Sequence, residues 1–117
     1  MKMVHVTIQT AEFDEEVRFY REHVGLKIIR DMRSAGRNMV FLANNEGETN
    51  IEIIENKDAA DSGSPDISIG FRIEDIEKKR EEMSVCGYEP TPVISPSPEV
   101  NFFFVKDPAG VNVQFIV

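Results

Sequence analysis

The chain has 117 residues, of which 41% are hydrophobic, and a formal net charge of −8. This length allows one compact domain with its own core and is short for two. Nucleic acids and anionic membranes are bound through an excess of Lys and Arg, so the acidic balance argues against both as partners. The single cysteine, Cys86, excludes an intrachain disulfide. With no apolar run that could span a bilayer and no signal-peptide core, these features predict a cytoplasmic protein.

The first half of the chain predicts a strand, a helix and three further strands. Residues 3–9 alternate in polarity, which is typical of a strand with one face toward a core. We expect its core side to be Val4, Val6 and Ile8, and its other side to be His5, Thr7 and Gln9. A helix follows, with acidic residues in its first turn and a stop at Gly25. The three further strands are predicted over 26–33, 38–43 and 50–55.

The second half repeats this order after a polar, Gly/Ser-bearing linker over 57–65. A strand over 67–73 presents Ser68, Gly70 and Arg72 on one face. The next helix is predicted to bury Ile76, Met83 and Cys86 and to end at Gly87. A strand over 88–95 contains two prolines and is therefore expected at a sheet edge.

Two runs of β-formers at the C-terminus flank Asp107-Pro108-Ala109-Gly110, which predicts a hairpin. The last strand places Val111, Val113, Phe115 and Val117 on one face, and Asn112, Gln114 and Ile116 on the other. The polar face is expected to line a cavity. The sequence does not fix the register of the hairpin. That face is therefore shared either by Phe102 and Phe104 or by Phe103 and Val105.

The two halves align at a nearly constant spacing. Gly25 maps to Gly87 and Glu52 to Gln114 at 62 positions, and His5 maps to Ser68 at 63. This repeat predicts an α+β fold of two βαβββ modules, in which eight strands form a cup-like sheet with the helices outside. The modules are expected at 1–56 and 66–117, on either side of the linker, within a single domain. Their polar faces would then line the cup.

Glu52 is the main candidate for chemistry, because it lies between isoleucines on a largely apolar strand. A carboxylate in such a place needs a metal, a cation or a proton. It is therefore either a site residue or the partner of a cation such as Arg72. His5 either contacts a ligand or lies in a satisfied polar pocket. Arg72 is also a candidate for binding a carboxylate or phosphate.

Several segments together resemble the vicinal-oxygen-chelate superfamily, which includes glyoxalase, bleomycin- and fosfomycin-resistance proteins, methylmalonyl-CoA epimerase and extradiol dioxygenases. They are HVTIQT, FYREHVGL, the carboxylate of NIEIIE, SIGFRIEDIEKK and FVKDPAGVNVQF. The resemblance implies one divalent metal (nickel, zinc, manganese, cobalt or iron) held by two ligands from each module. His5 and Glu52 match the first two ligand positions, and Gln114 is a further candidate. Ser68 and Gln114 depart from the usual histidine and glutamate.

The resemblance leaves two functions open. The first is a glyoxalase-like lyase or isomerase of a small oxygenated metabolite, with Glu52 as the catalytic base, because a glutamine at 114 cannot take a proton. The second is a metal-free binding protein of the bleomycin-resistance type for a drug or metabolite, with Thr7, Ser68, Arg72 and Gln114 as ligand-binding residues. In this family the cup is completed within one chain or by exchange of modules between two chains. In either case we expect a homodimer, because the chain is short and has edge-forming strands.

Overall fold

The computed structural model describes all 117 residues, Met1 to Val117. The chain forms two compact units, Met1–Ser62 and Gly63–Val117, here called the first and second modules. Each contains a four-stranded sheet and a helix in the order strand, helix, three strands. The prediction of an α+β fold built from two βαβββ modules is therefore confirmed. The joining of both sheets into one cup within a single domain stays a prediction.

The first module contains strands β1 to β4 and helix α1. Their bounds are β1 His5–Thr10, α1 Phe13–Phe19, β2 Lys27–Asp31, β3 Met39–Ala43 and β4 Asn50–Glu55. The strand order is β1-β4-β3-β2, with β1 parallel to β4 and the other pairs antiparallel. The chain passes from β1 to its parallel neighbour β4 by way of α1, β2 and β3, and α1 contacts β4. The sheet is thereby covered on its apolar face.

Helix α1 continues beyond Phe19 as a π-helical turn, Tyr20–Val24. The predicted stop at Gly25 is confirmed, since Gly25 is left-handed at φ 84°. Its N–H and that of Leu26 both bond to the carbonyl of Tyr20, the latter at 2.9 Å. Phe19 and Tyr20, 1% and 0% exposed, anchor this end of the helix in the core. The turn therefore has a fixed position on the module.

The core of the first module lies behind β4 and β3, where Val40, Leu42 and Ile53 are fully buried. Ile8 of β1 is also buried, as predicted. Val6 pairs with Ile51 and so lies on the predicted face, but the expected burial of Val4 and Val6 is wrong, because their exposures are 57% and 38%. The reason is that β1 is the edge strand, and of its residues only Ile8 and Thr10, toward its C-terminal end, are buried. The exposed start of β1 is apolar surface that this module leaves uncovered.

The second module contains strands β5 to β8 and helix α2. Their bounds are β5 Ser68–Arg72, α2 Ile76–Val85, β6 Ile94–Ser97, β7 Val100–Lys106 and β8 Asn112–Ile116. The order is β5-β8-β7-β6, again with the first strand parallel to the last. Asp75 begins α2 by accepting a hydrogen bond from the backbone N–H of Lys78 at 3.0 Å. No helix of either module is long and apolar enough to span a membrane.

Two predictions in the second module are corrected. Cys86 is exposed, because α2 ends at Val85 and the chain turns outward through left-handed Gly87, so it is not a buried hydrophobe. The strand predicted over 88–95 begins only at Ile94. Proline cannot donate to a ladder. Before Ile94 the chain is held to β7 by Thr91, whose N–H donates to the carbonyl of Phe104 and whose Oγ1 accepts from the N–H of Phe104, each at 3.0 Å. The predicted edge position is confirmed.

The C-terminal hairpin forms around the predicted turn. The N–H of Gly110 donates to the carbonyl of Asp107 at 2.9 Å, and Gly110 has φ 90°. The Asp107 carboxylate accepts from the N–H groups of Ala109 and Val111 at 3.0 and 2.9 Å. Behind the hairpin, Phe103, Val113 and Phe115 are each 0% exposed. The apolar face predicted for β8 is therefore confirmed.

Candidate functional site

A row of directly paired residues crosses the first-module sheet from edge to edge. Thr7 pairs with Glu52, Glu52 with Phe41, and Phe41 with Arg30. Directly paired residues share a face of a sheet, so these side chains lie on the face opposite Ile51 and Ile53. His5, two residues before Thr7, lies on the same face. The polar faces predicted for β1 and β4 are thus brought together.

Glu52 is held by a hydroxyl group of the neighbouring strand. The Thr7 Oγ1 donates to Glu52 Oε1 at 2.5 Å, in the range of charge-assisted O–H···O⁻ bonds. The His5 Nε2 lies 3.7 Å from the same oxygen, and this contact is an ion pair only when the imidazole is protonated. The side chain of Glu52 is 12% exposed and that of His5 is 41% exposed. The partner that a carboxylate needs on this strand is thus supplied within the first module.

Phe41 and Arg30 extend this face with a ring and a cation. The ring of Phe41 meets the His5 imidazole edge-on at 6.3 Å, and the Arg30 guanidinium lies 5.6 Å from the centre of the Phe41 ring. Sequence reasoning missed both residues. A bulge in β2 at Ile29 places Arg30 opposite Phe41, and alternation alone does not reveal such a shift. The face therefore combines a carboxylate, a hydroxyl, an imidazole and an aromatic ring.

The second-module sheet has an equivalent face with different chemistry. Gln114 takes the position of Glu52, between Gly70 on one side and Phe104 on the other. The register also settles which aromatic residues share this face: Phe102 and Phe104 do, and their rings meet edge-on at 5.6 Å. Ser68 and Arg72 of β5 lie on the same face. A neutral amide thus replaces the carboxylate of the first module.

Gly70 gives the amide of Gln114 its space. A Cβ at Gly70 would lie 3.0 Å from Gln114 Oε1, closer than ordinary contact. Beside it, a cavity of about 300 Å³ is lined by residues that include Ser68, Phe104 and Asn112. This volume is at the lower end of small-molecule pockets. Ser68 is thus in a position to contact a ligand, whereas Arg72 and Gln114 do not line this cavity.

The donor set does not fit a resident divalent metal. Protein centres for such ions use three or four His, Cys, Asp or Glu ligands. Here His5 and Glu52 approach each other, and no group of three such residues comes together anywhere in the chain. One oxygen of Glu52 already accepts the Thr7 hydroxyl. Ser68 and Gln114 offer neutral oxygens, which are weak ligands.

Comparison with protein families gives one match over almost the whole chain. Residues 2–115 match the model of the Glyoxalase/Bleomycin resistance protein/Dioxygenase superfamily. No protein of curated function matches the sequence.

Several solved structures share the fold. The trypanothione-dependent glyoxalase I of Leishmania major is 22% identical, with 99% of this chain and 86% of that chain covered and a TM-score of 0.76. The fosfomycin resistance protein FosX of Listeria monocytogenes is 14% identical, with 99% and 92% covered and a TM-score of 0.79. A glyoxalase family protein of Bacillus anthracis is 23% identical, with 99% and 93% covered and a TM-score of 0.71. At such identities the likeness extends to the fold alone.

Proposed function

Because this chain belongs to the Glyoxalase/Bleomycin resistance protein/Dioxygenase superfamily, we propose that it binds a small organic molecule on the polar face of its first-module sheet, without a resident metal. The observation that carries this proposal is the Thr7–Glu52 hydrogen bond on a largely buried carboxylate. A carboxylate held in this way is a fixed acceptor. The donor set of the face, described above, supports binding without a metal.

The chemistry of the face indicates the kind of ligand. The Thr7 hydroxyl occupies Glu52 Oε1, while Oε2 makes no hydrogen bond within the chain. A ligand with an N–H, an O–H or a positive charge would satisfy this second oxygen. The neighbouring Phe41 ring offers contact to a planar or apolar group. We expect Ser68, Arg72 and Gln114 to contact a ligand on the equivalent face of the second module.

A second candidate function is a glyoxalase-like lyase or isomerase of a small oxygenated metabolite. The closeness of His5 Nε2 to Glu52 Oε1, at 3.7 Å, favours it. In that reaction Glu52 would accept a proton from a carbon next to a carbonyl and return it to the adjacent carbon, since Gln114 is not basic. The Thr7 hydroxyl would hold Oε1 so that Oε2 faces the substrate. This candidate requires His5 and Glu52 to acquire a metal in solution despite the missing ligands.

The deciding experiment measures metal content and ligand binding on the same protein. The chain is purified without chelator, assayed for bound metal, and screened against small molecules by thermal shift. The variants are Glu52→Gln and, as a matched control, Glu46→Gln, which removes an exposed carboxylate of a turn in the same module. We expect substoichiometric metal, and a ligand whose stabilisation is lost only in Glu52→Gln. Near-stoichiometric metal that Glu52→Gln abolishes would overturn this proposal in favour of the lyase.

A homodimer and a cytoplasmic location belong to the same proposal. The exposed apolar residues Val4 and Val6, on and before the edge strand β1, support a dimer, since a second copy would remove them from water. The single cysteine supports a reducing compartment. Sedimentation of the wild type and of Val6→Lys tests the dimer. We expect the wild type to sediment as a dimer and Val6→Lys as a monomer.

A further inference from the structure

A groove of about 770 Å³ lies in the first module, between helix α1 with its π-helical turn and the start of strand β2. Its floor is apolar: Val17 and Leu26 are buried, and Ile28 is half-buried. The volume is within the range of pockets that hold small organic molecules. None of these residues belongs to the polar face around Glu52, so the groove is separate from the candidate site.

The rim of the groove is cationic in an acidic chain. Four basic side chains line it, against two carboxylates. The basic ones are Arg18, Arg21, Lys27 and Arg33, and the acidic ones are Asp14 and Glu22. These lining residues carry a balance of +2, or +1 when Asp31, the partner of Arg33, is counted, whereas the chain as a whole carries −8. A local excess of one sign in a concave surface attracts ions of the other sign. The groove is thus suited to an anion.

The basic side chains of the rim differ in whether they already have a partner within the chain. Arg33 is held by Asp31 through its Nε and one terminal nitrogen, at 2.9 and 2.6 Å. This pairing raises the pKa of Arg33 further above its ordinary value. Arg18, Arg21 and Lys27 make no side-chain hydrogen bond or ion pair within the chain. Three side chains on one groove therefore keep their donors available for an external acceptor.

The π-helical turn at the end of α1 determines where one of these cations lies. Arg21 and Glu22 lie on the π-helical turn Tyr20–Val24, which forms one wall of the groove. The turn ends the helix at left-handed Gly25, where wide turns commonly satisfy the last carbonyls. The extra residue that such a turn inserts shifts the side chains after Phe19 away from their α-helical positions. Here the shifted residues include one of the three available cations.

We propose that this groove binds a small organic anion, namely a phosphate or carboxylate group attached to an apolar chain or ring. Arg18, Arg21 and Lys27 bind the anionic group. The apolar part lies on Val17, Leu26 and Ile28 and is removed from water. Arg33, fixed by Asp31, closes one side. The site is separate from the polar face of the sheet and does not depend on the function proposed for that face.

Titration calorimetry with simple amphiphiles tests the proposal. Octyl phosphate and octanoate carry the two anionic groups on the same chain. Octyltrimethylammonium has the same chain with a positive charge, and inorganic phosphate has the charge without the chain. The test variant is Arg18→Gln/Arg21→Gln. The matched control is Arg37→Gln/Lys57→Gln, which removes two exposed charges of the same module outside the groove.

We expect at least one anionic amphiphile to bind and to lose about tenfold or more in affinity in the test variant, the loss that removed charge-assisted hydrogen bonds imply. The control variant should retain its affinity, and octyltrimethylammonium should not bind. A comparison of octyl phosphate with octanoate identifies the preferred anionic group. Equal losses in both variants, binding of the cation, inorganic phosphate as tight as octyl phosphate, or no binding of either amphiphile would each overturn the proposal.

Discussion

Replacing Thr7 by Val tests whether the hydroxyl holds Glu52 as the structure indicates. The change keeps a β-branched side chain on β1 and removes only the donor to Glu52 Oε1, which lies at 2.5 Å. Hydrogen bonds to charged groups contribute about 1.5–3 kcal/mol to stability. Thr7 lies on an exposed edge strand, so the lower end applies. We therefore expect the free energy of unfolding to fall by about 1.5 kcal/mol.

The assay is urea-induced unfolding at pH 7, with Thr7→Ser as the control. Serine keeps the hydroxyl, so this variant should lose only the contribution of the methyl group. The double variant Thr7→Val/Glu52→Gln completes a cycle. A neutral amide accepts a weaker bond, so the coupling between positions 7 and 52 should be about 1 kcal/mol. A Thr7→Val protein as stable as Thr7→Ser, or zero coupling, would refute the reasoning.

Three further predictions concern the two modules separately. Arg33 lowers the pKa of Asp31 to about 2 from its ordinary 3.8. The stability that this pair contributes is present above pH 3.8 and is lost as the pH falls toward about 2. In acid unfolding, the free energy of unfolding of Asp31→Asn should therefore fall less steeply with pH in this range than that of the wild type. Asp107→Ala should lose about 2–3 kcal/mol in urea unfolding, because it leaves two N–H groups unpaired, and Asp107→Asn less than half of that. Gly110→Ala should lose about 1–2 kcal/mol in the same assay, since φ is 90° there.

The repeat in the sequence is reproduced in the register of the two sheets. His5 pairs with Asn50 and Ser68 with Asn112, while Thr7 pairs with Glu52 and Gly70 with Gln114. The turns agree as well: Gly47 and Gly110 are left-handed at φ 87° and 90°. Alternation and turn residues are local properties, so they predict the strands and the repeat without knowledge of the packing.

The errors of sequence reasoning arise where a residue's environment depends on distant elements. Val4 and Val6 continue the alternation of β1, but an edge strand is covered only where another element reaches it. Cys86 continues the helical stripe, but α2 ends one residue before it. Arg30 is paired with Phe41 only because of a bulge in β2. None of these circumstances leaves a signal in the local pattern.

The candidate site was predictable in part for the same reason. Glu52, His5 and Thr7 lie on two strands whose polar faces the alternation identifies, and a carboxylate between isoleucines calls for a partner. From the sequence, the predicted partner was a metal, a cation or a proton. The structure instead supplies the Thr7 hydroxyl, which depends on the parallel pairing of β1 with β4. Such pairing between strands 45 positions apart is not a local property.

Equivalent positions of the two modules carry different chemistry. In the first module a carboxylate is held by a hydroxyl and lies beside an imidazole, and these are the groups that a proton transfer would use. In the second module the equivalent amide lies over Gly70 and beside Phe104, and neither the amide nor these neighbours titrates near neutral pH. Its contribution is limited to shape and neutral hydrogen bonds. A reaction that needs a second base therefore has no group for it in the second module's equivalent position, which favours binding over two-base chemistry.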